Sequence, residues 1–308
     1  MPTPRTAALL AAVLALCCVA GCARSDSVGP GPTPGLVNVV ASTDVYGSVA
    51  SEVGGKHARV TSIIHSPDAD PHEYESTPAD ALAVSRAALL VINGGGYDDF
   101  ATKLIGASGT GSRTQNVINV SELSGLPNGP EFNEHVFYSL PTMRKLADTL
   151  AAELGKADPG DAADFTHNAA AFDARLDELN MKVGAIKATH GGARIAVTEP
   201  VPLYLTAQAG LVDATPEQFS HAVEDGSDPP VAVLQQTLAL FHGPDRVRAL
   251  LLNGQTESPT TSQVERAATA AGVPVVKVTE TLPAGTLDYV SWMDGQITQL
   301  AAALGCQP

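Results

Sequence analysis

The chain has 308 residues, 44% of them hydrophobic, which is enough to build one large domain or two smaller ones with their own cores. Its 18 basic and 33 acidic residues give a formal charge of −15, and no basic cluster interrupts the acidic balance. That disfavours nucleic acid and other acidic partners, and it is compatible either with attraction of cations or with plain solubility.

Residues 1–22 carry an arginine at position 5, an uninterrupted apolar run from 7 to 20, and then Gly21-Cys22. This is the pattern of an export signal, since the run falls short of the roughly 20 residues that span a bilayer comfortably. Val19-Ala20-Gly21-Cys22 has the form of a bacterial lipoprotein box, which predicts cleavage before Cys22 and acylation of its thiol. An ordinary secreted protein and an uncleaved anchor are the alternatives. A dual acyl anchor would hold the folded part in water at a membrane surface. Of the 4 cysteines, Cys17 and Cys18 leave with the signal and Cys22 takes lipid, so Cys306 is left as the remaining thiol and no intrachain disulfide framework is expected.

Residues 23–35 are polar and rich in glycine and proline, and read as a tether. From residue 36 short apolar runs alternate with helical patterns, the mark of parallel α/β units. Strands are predicted at 37–41, 58–64, 88–92 and 115–120, with helices at 44–53, 78–86, 98–104 and 141–154. A long segment from 161 to 183 lacks glycine and proline and sets Phe165, Ala169, Phe172, Leu176, Leu179 and Val183 on one helical stripe. A second set follows, with strands at 194–198, 247–252 and 274–278, helices at 201–209, 231–241 and 259–271, and a closing helix at 288–304. The predicted fold class is therefore α/β, with two lobes of parallel sheet flanked by helices and joined by one long, rigid backbone helix. The corresponding boundaries are signal 1–22, tether 23–35, N-terminal lobe 36–159, linking helix 160–190 and C-terminal lobe 191–308.

Ligands of open parallel sheets bind beyond the carboxyl ends of the strands. His72 lies there, in Asp70-Pro71-His72-Glu73-Tyr74 after the second strand, and His135 lies past the fourth in Glu134-His135-Val136-Phe137-Tyr138. Glu199, in Thr198-Glu199-Pro200, and Glu280, in Thr279-Glu280-Thr281-Leu282-Pro283, occupy like positions in the second lobe. Two imidazoles and two carboxylates converging on the interlobe cleft would suit a divalent first-row metal. The oxygen share tilts the choice toward manganese or iron without excluding zinc.

Those four segments resemble the solute-binding lipoproteins of manganese and zinc ABC transporters, the TroA-like cluster A-I family, over residues 36–304. The resemblance implies two lobes on a rigid backbone helix and one metal ion held as cargo, Mn2+ or Zn2+ with Fe2+ a further option, by His72, His135, Glu199 and Glu280. It also implies delivery of that ion to a membrane permease powered by an ATPase, from an extracytoplasmic, lipid-anchored position. A non-enzymatic monomer without nucleic-acid contacts is expected. Glutamate at the third position is typical of manganese members. The fourth is usually aspartate, so Glu280 departs by one methylene, and residues 121–134 carry none of the histidine-rich loop of many zinc members. Capture requires neutral imidazoles and ionised carboxylates, so affinity is expected to fall as pH drops through the histidine range, near about 6.5.

Residues 93–97, Asn-Gly-Gly-Gly-Tyr, read as a tight turn near the cleft, and 219–226 read as an exposed loop, with a secondary cation site or a cleft rim as the alternatives. His57, His65, His167, His190 and His242 have no placed partners and read as surface histidines, while Tyr74 and Tyr138 either wall the site or simply pack. The alternatives to a metal receptor are a metal-dependent hydrolase, for which no Gly-x-Ser-x-Gly or His-Glu-x-x-His motif speaks, and a surface adhesin lipoprotein with an incidental cleft.

Overall fold

The first apolar run becomes β1 (Val37–Thr43), paired on both edges between β2 (Ala58–Ile64) and β3 (Leu89–Ile92) and almost wholly buried. The computed structural model describes residues 35–67, 69–107, 116–127, 129, 132–286 and 288–306. The signal, Cys22 and all of the tether but its last residue lie outside this set. With β4 (Asn116–Asn119) the first sheet runs β2-β1-β3-β4, all parallel, with Val39 opposite Val60 on one side and Leu89 on the other. The second sheet repeats the order as β6-β5-β7-β8, from β5 (Arg194–Val197), β6 (Val212–Asp213), β7 (Leu250–Asn253) and β8 (Val275–Val278). In each sheet the chain goes first to one side and then to the other, so a crevice opens at the carboxyl ends between the first and third strands.

The N-terminal sheet is flanked by α1 (Asp44–Gly54), α2 (Pro78–Arg86) and α3 (Asp99–Ala107), followed by the short α4 (Val120–Ser124) and by α5 (Leu140–Ala157). Helix α2 starts where the sequence suggests because Thr77 and Asp80 cap each other reciprocally ahead of Pro78. Helix α3 starts one residue later than expected because the Asp98 carboxylate is used in the glycine turn, accepting the backbone N–H of Asn93 (2.6 Å) and of Gly94 (2.8 Å). Gly94, Gly95 and Gly96 all take positive φ there, so the turn reading holds, and Asp98 takes the amides of Asn93 and Gly94.

The backbone helix α6 (Ala162–His190) runs two turns past the glycine- and proline-free stretch that ends at 183, within the span 160–190 given to the linking helix. Gly184 does not stop it, because Ile186 continues the buried stripe and its packing outweighs the roughly 1 kcal/mol that a helical glycine costs. The second lobe adds α7 (Leu203–Gln208), α8 (Glu217–Glu224), α9 (Val231–Ala239), α10 (Pro259–Ala270) and α11 (Tyr289–Leu304). Helix α8 corrects the loop expected at 219–226. Phe219 and Val223 stand four residues apart and are both buried, so an apolar face survived in a segment whose charges suggested surface.

One hydrophobic core runs through both lobes. It joins Val39 and Val91 of the first sheet to Phe165, Phe172 and Leu176 of α6, Ile195 and Leu251 of the second sheet, and Tyr289 and Trp292 of α11. Arg175 of α6 adds a polar clasp, 2.6 Å from Glu52 of α1 and 2.7 Å from Asp288 at the start of α11. Phe172→Ala is therefore expected to cost about 3–5 kcal/mol in urea denaturation of the metal-free protein, as for other large core deletions. A loss below about 1 kcal/mol would mean that the linking helix is not part of the shared core. Among the described residues no helix is long and apolar enough to cross a membrane.

Candidate metal centre

His72 reaches the cleft from the long loop after β2. Asp70 sets its backbone by accepting the His72 N–H at 2.8 Å, and the ring stands edge-on to buried Tyr97 at 5.1 Å. His135 follows β4 and α4, ahead of a short 3-10 turn at Val136–Tyr138, and its side chain is only 1% exposed. Asn133 fixes it. The Asn133 carbonyl accepts both the His135 backbone N–H (3.0 Å) and Nδ1–H (2.8 Å), while its amide donates to Pro200 O (2.9 Å). With Nδ1 so engaged, Nε2 is the nitrogen offered to the cleft.

Glu280 comes across from the end of β8. Its Oε1 accepts from Asn253 Nδ2 (2.8 Å), and its Oε2 lies 3.5 Å from His135 Nε2 and 3.9 Å from His72 Nε2. Neither His135 Nε2 nor Glu280 Oε2 has a hydrogen-bond partner, although both are buried. Donors at tetrahedral angles around a first-row ion, held at about 2.0–2.1 Å, lie about 3.3–3.4 Å apart, so the observed separations need little adjustment to take one. The extra methylene of Glu280 does not turn its carboxylate away from the imidazoles.

Glu199 sits differently. It is buried at the end of β5, but Asn253 holds its Oε2 at 2.7 Å and the Thr256 hydroxyl holds its Oε1. The side chains whose donor atoms converge are thus His72, His135 and Glu280, and Glu199 is one hydrogen-bonded amide away. The expected tyrosines divide as well. Tyr74 packs on Phe100 (4.8 Å) and donates to Asp80, away from the site, whereas Tyr138 donates to Thr279 O (2.8 Å) and braces the strand end that carries Glu280. The tyrosine that walls the centre is Tyr97, against both His72 and His135.

Two further residues escaped the sequence reading. Glu224 on α8 brings Oε1, buried and unpartnered, to 3.7 Å from His135 Nδ1. Asn253 bridges both buried glutamates. The available signal for each was position alone, a glutamate four residues beyond Ser220 on a helical face and an asparagine ending an apolar strand.

The charges are strongly coupled. Burial works against the His135 imidazolium, but its pairing with Glu280 and the nearby Glu134 and Glu224 carry its pKa up to about 9. Burial alone would raise the Glu280 carboxyl, yet His135, His72 and Asn253 hold it below the usual carboxylate range. Burial pushes Glu199 up to about 7 against the hydrogen bonds of Thr256 and Asn253, and Glu224 up to about 8 against the pull of His135. Without metal the centre is accordingly an imidazolium–carboxylate pair. It opens to a cavity of about 590 Å³ whose wall includes His72, Asp70, Glu73, Glu134, Glu224 and Glu257 and, among the described residues, no lysine or arginine. His57, read as a surface residue, is instead held between Asp161 and Asp164 at 2.7 Å each, far from the cleft.

Two parallel four-stranded sheets, with imidazole and carboxylate donors brought together at their strand ends, define a two-lobed class of α/β protein whose converging donors could hold a divalent metal. The same fold occurs in the solute-binding protein FpvC from Pseudomonas aeruginosa, solved with Mn2+, at TM-score 0.72 and 23% identity over 87% of this chain and 98% of that one. It occurs equally in the periplasmic zinc-binding protein TroA from Treponema pallidum, at TM-score 0.72 and 19% identity over 88% and 99%. The chain belongs to the ZnuA family, described as zinc-uptake complex component A, periplasmic, which it matches over residues 39–303. Among curated relatives, the manganese-binding lipoprotein MntA of Bacillus subtilis is 31% identical over 177 residues, 56% of each chain. The chain thus spans about half the length of the curated relatives it matches.

Proposed function

We propose that this protein is the extracytoplasmic receptor of an ABC importer for a divalent transition metal, anchored to the cell membrane by lipid on Cys22. It captures Mn2+ or Zn2+, with Fe2+ a further candidate, and passes the ion to a permease and its ATPase. His72, His135 and Glu280 are the proposed primary ligands, with Glu199 completing the set when the ion arrives. The observation that carries the reading is the pair of buried, unpartnered atoms His135 Nε2 and Glu280 Oε2, brought to 3.5 Å from opposite lobes. Such atoms are costly to bury unless something satisfies them, and a cation satisfies both.

The relatives support it by what their names record: manganese binding for MntA, zinc uptake for the family. Those names also favour a carrier over the hydrolase alternative. The continuous core and the Arg175 clasp support capture by local adjustment of the His72 and His135 loops in place of a wide hinge closure.

The test is equilibrium dialysis of the chain from residue 23, which contains the whole compact unit 34–308, prepared without tag histidines. A single Mn2+ or Zn2+ per chain at micromolar concentration is expected, with loss of uptake in His72→Ala. No uptake of either ion would overturn the receptor reading and favour the adhesin.

A further inference from the structure

Asn253 ends β7 and is 1% exposed. Its backbone N–H donates to Thr198 Oγ1 (2.9 Å), and its side-chain oxygen accepts the Gln255 N–H (3.1 Å). The amide orientation is thereby fixed, with the NH2 toward the carboxylates. Both of its hydrogens are used, one on Glu199 Oε2 (2.7 Å) and one on Glu280 Oε1 (2.8 Å). The Thr256 hydroxyl takes the remaining Glu199 oxygen. Of four carboxylate oxygens, Glu280 Oε2 alone is left without a donor.

We propose that Asn253, assisted by Thr256, limits each of the two glutamates to one metal bond and so biases the centre toward four-coordinate cargo. An oxygen that accepts one hydrogen bond keeps a second lone pair, so both glutamates can still ligate through a single oxygen. Chelation by Glu280 through both oxygens would make the ion compete with the amide for Oε1, whereas Oε2 offers itself without such competition. Two imidazole nitrogens and two single oxygens make a four-donor set, which suits zinc. Manganese prefers six donors, mostly oxygen, and gains from a second carboxylate oxygen. Asn253 is on this account a positioning residue, acting through the carboxylates it holds.

The inference rests on the receptor reading and is tested beside it. Mn2+ and Zn2+ affinities are measured by competition for wild type, Asn253→Ala and Thr256→Val, with zinc-edge X-ray absorption on the zinc-loaded proteins and melting of the metal-free ones. Asn253→Ala is expected to shift the Mn2+/Zn2+ affinity ratio toward manganese by roughly tenfold, equivalent to about 1.4 kcal/mol, and to add an oxygen to the zinc shell. Thr256→Val shifts the ratio in the same direction by a smaller factor, and it remains the test if Asn253→Ala does not fold. A merely structural role for Asn253 would weaken both metals alike. An unchanged ratio and an unchanged zinc shell in variants of a metal-binding wild type overturn this inference alone. A wild type that binds neither ion overturns the receptor reading, and this inference with it.

Discussion

His135→Ala is expected to weaken Mn2+ and Zn2+ binding by at least about a hundredfold, the effect of removing a ligand together with the neighbour it orients. His135 is the one converging imidazole that is fully buried, and its Nε2 is the nearest donor to Glu280 Oε2. His72 is partly exposed and 0.4 Å farther from that oxygen, 3.9 against 3.5 Å. Deleting the buried ring also removes the nearest partner of Glu280, whose Oε2 would keep the partly exposed His72 at 3.9 Å as its remaining imidazole neighbour. The metal-free variant should therefore melt lower as well, by about 3–5 kcal/mol of stability if Glu280 stays ionised, and by less if it takes up a proton. Competitive metal titration and thermal melting of the same preparation read the two effects separately. A loss of affinity under about threefold would remove His135 from the ligand set, since a lost charged contact is worth more than that.

Metal affinity should rise with pH well beyond the range set by an ordinary histidine. Because His135 holds its proton up to about pH 9 in the metal-free cleft, capture at neutral pH must displace it. One displaced proton corresponds to about a tenfold gain in apparent affinity per pH unit, so the gain should continue from neutral pH toward about 9. Below about 7 the protonation of Glu199 steepens the dependence if that residue joins the ion. Stability of the metal-free chain should move the other way. The raised His135 pKa contributes stability that is complete below its unfolded value of 6.5 and is lost as pH rises through about 9. The folded state also holds a proton on Glu199 more tightly than the unfolded chain, so stability declines from 4.5 to about 7. Glu280, with its lowered pKa, contributes the opposite dependence at the acid end, present above 4.5 and lost as pH falls through its folded value. Calorimetry at about pH 7.5 in buffers of different ionisation enthalpy should find at least one proton released per ion. Zero protons released, with affinity flat from 7 to 9, would contradict the paired state of His135.

The strand-end logic made much of this centre legible. His72, His135, Glu199 and Glu280 all follow strands of parallel sheets, where the chain must turn outward and side chains meet across a crevice, and each lies in a short run whose neighbours stiffen it. The sequence could not convey how Glu199 is held, because its two hydrogen-bond donors, Asn253 and Thr256, are more than fifty residues away. Asn253 ends an apolar strand before a glycine, which looks like an ordinary turn. Glu224 was hidden because its helix is short and runs into Asp225-Gly226, a charged stretch typical of surface. The continuation of α6 through Gly184 and the missed α8 have one cause: apolar contacts made in the fold decided them against a glycine in one case and against charge in the other.

The aromatic contacts beneath His135 tie the cleft to α11. The His135 ring rests on Phe137 at 5.7 Å, and Phe137 rests on Trp292 at 6.2 Å and gives its carbonyl to the Tyr289 hydroxyl at 2.8 Å. Support for a first-lobe histidine is thus supplied by a helix of the second lobe. A polypeptide truncated before α11 keeps His72, His135, Glu199 and Glu280 without that support beneath His135.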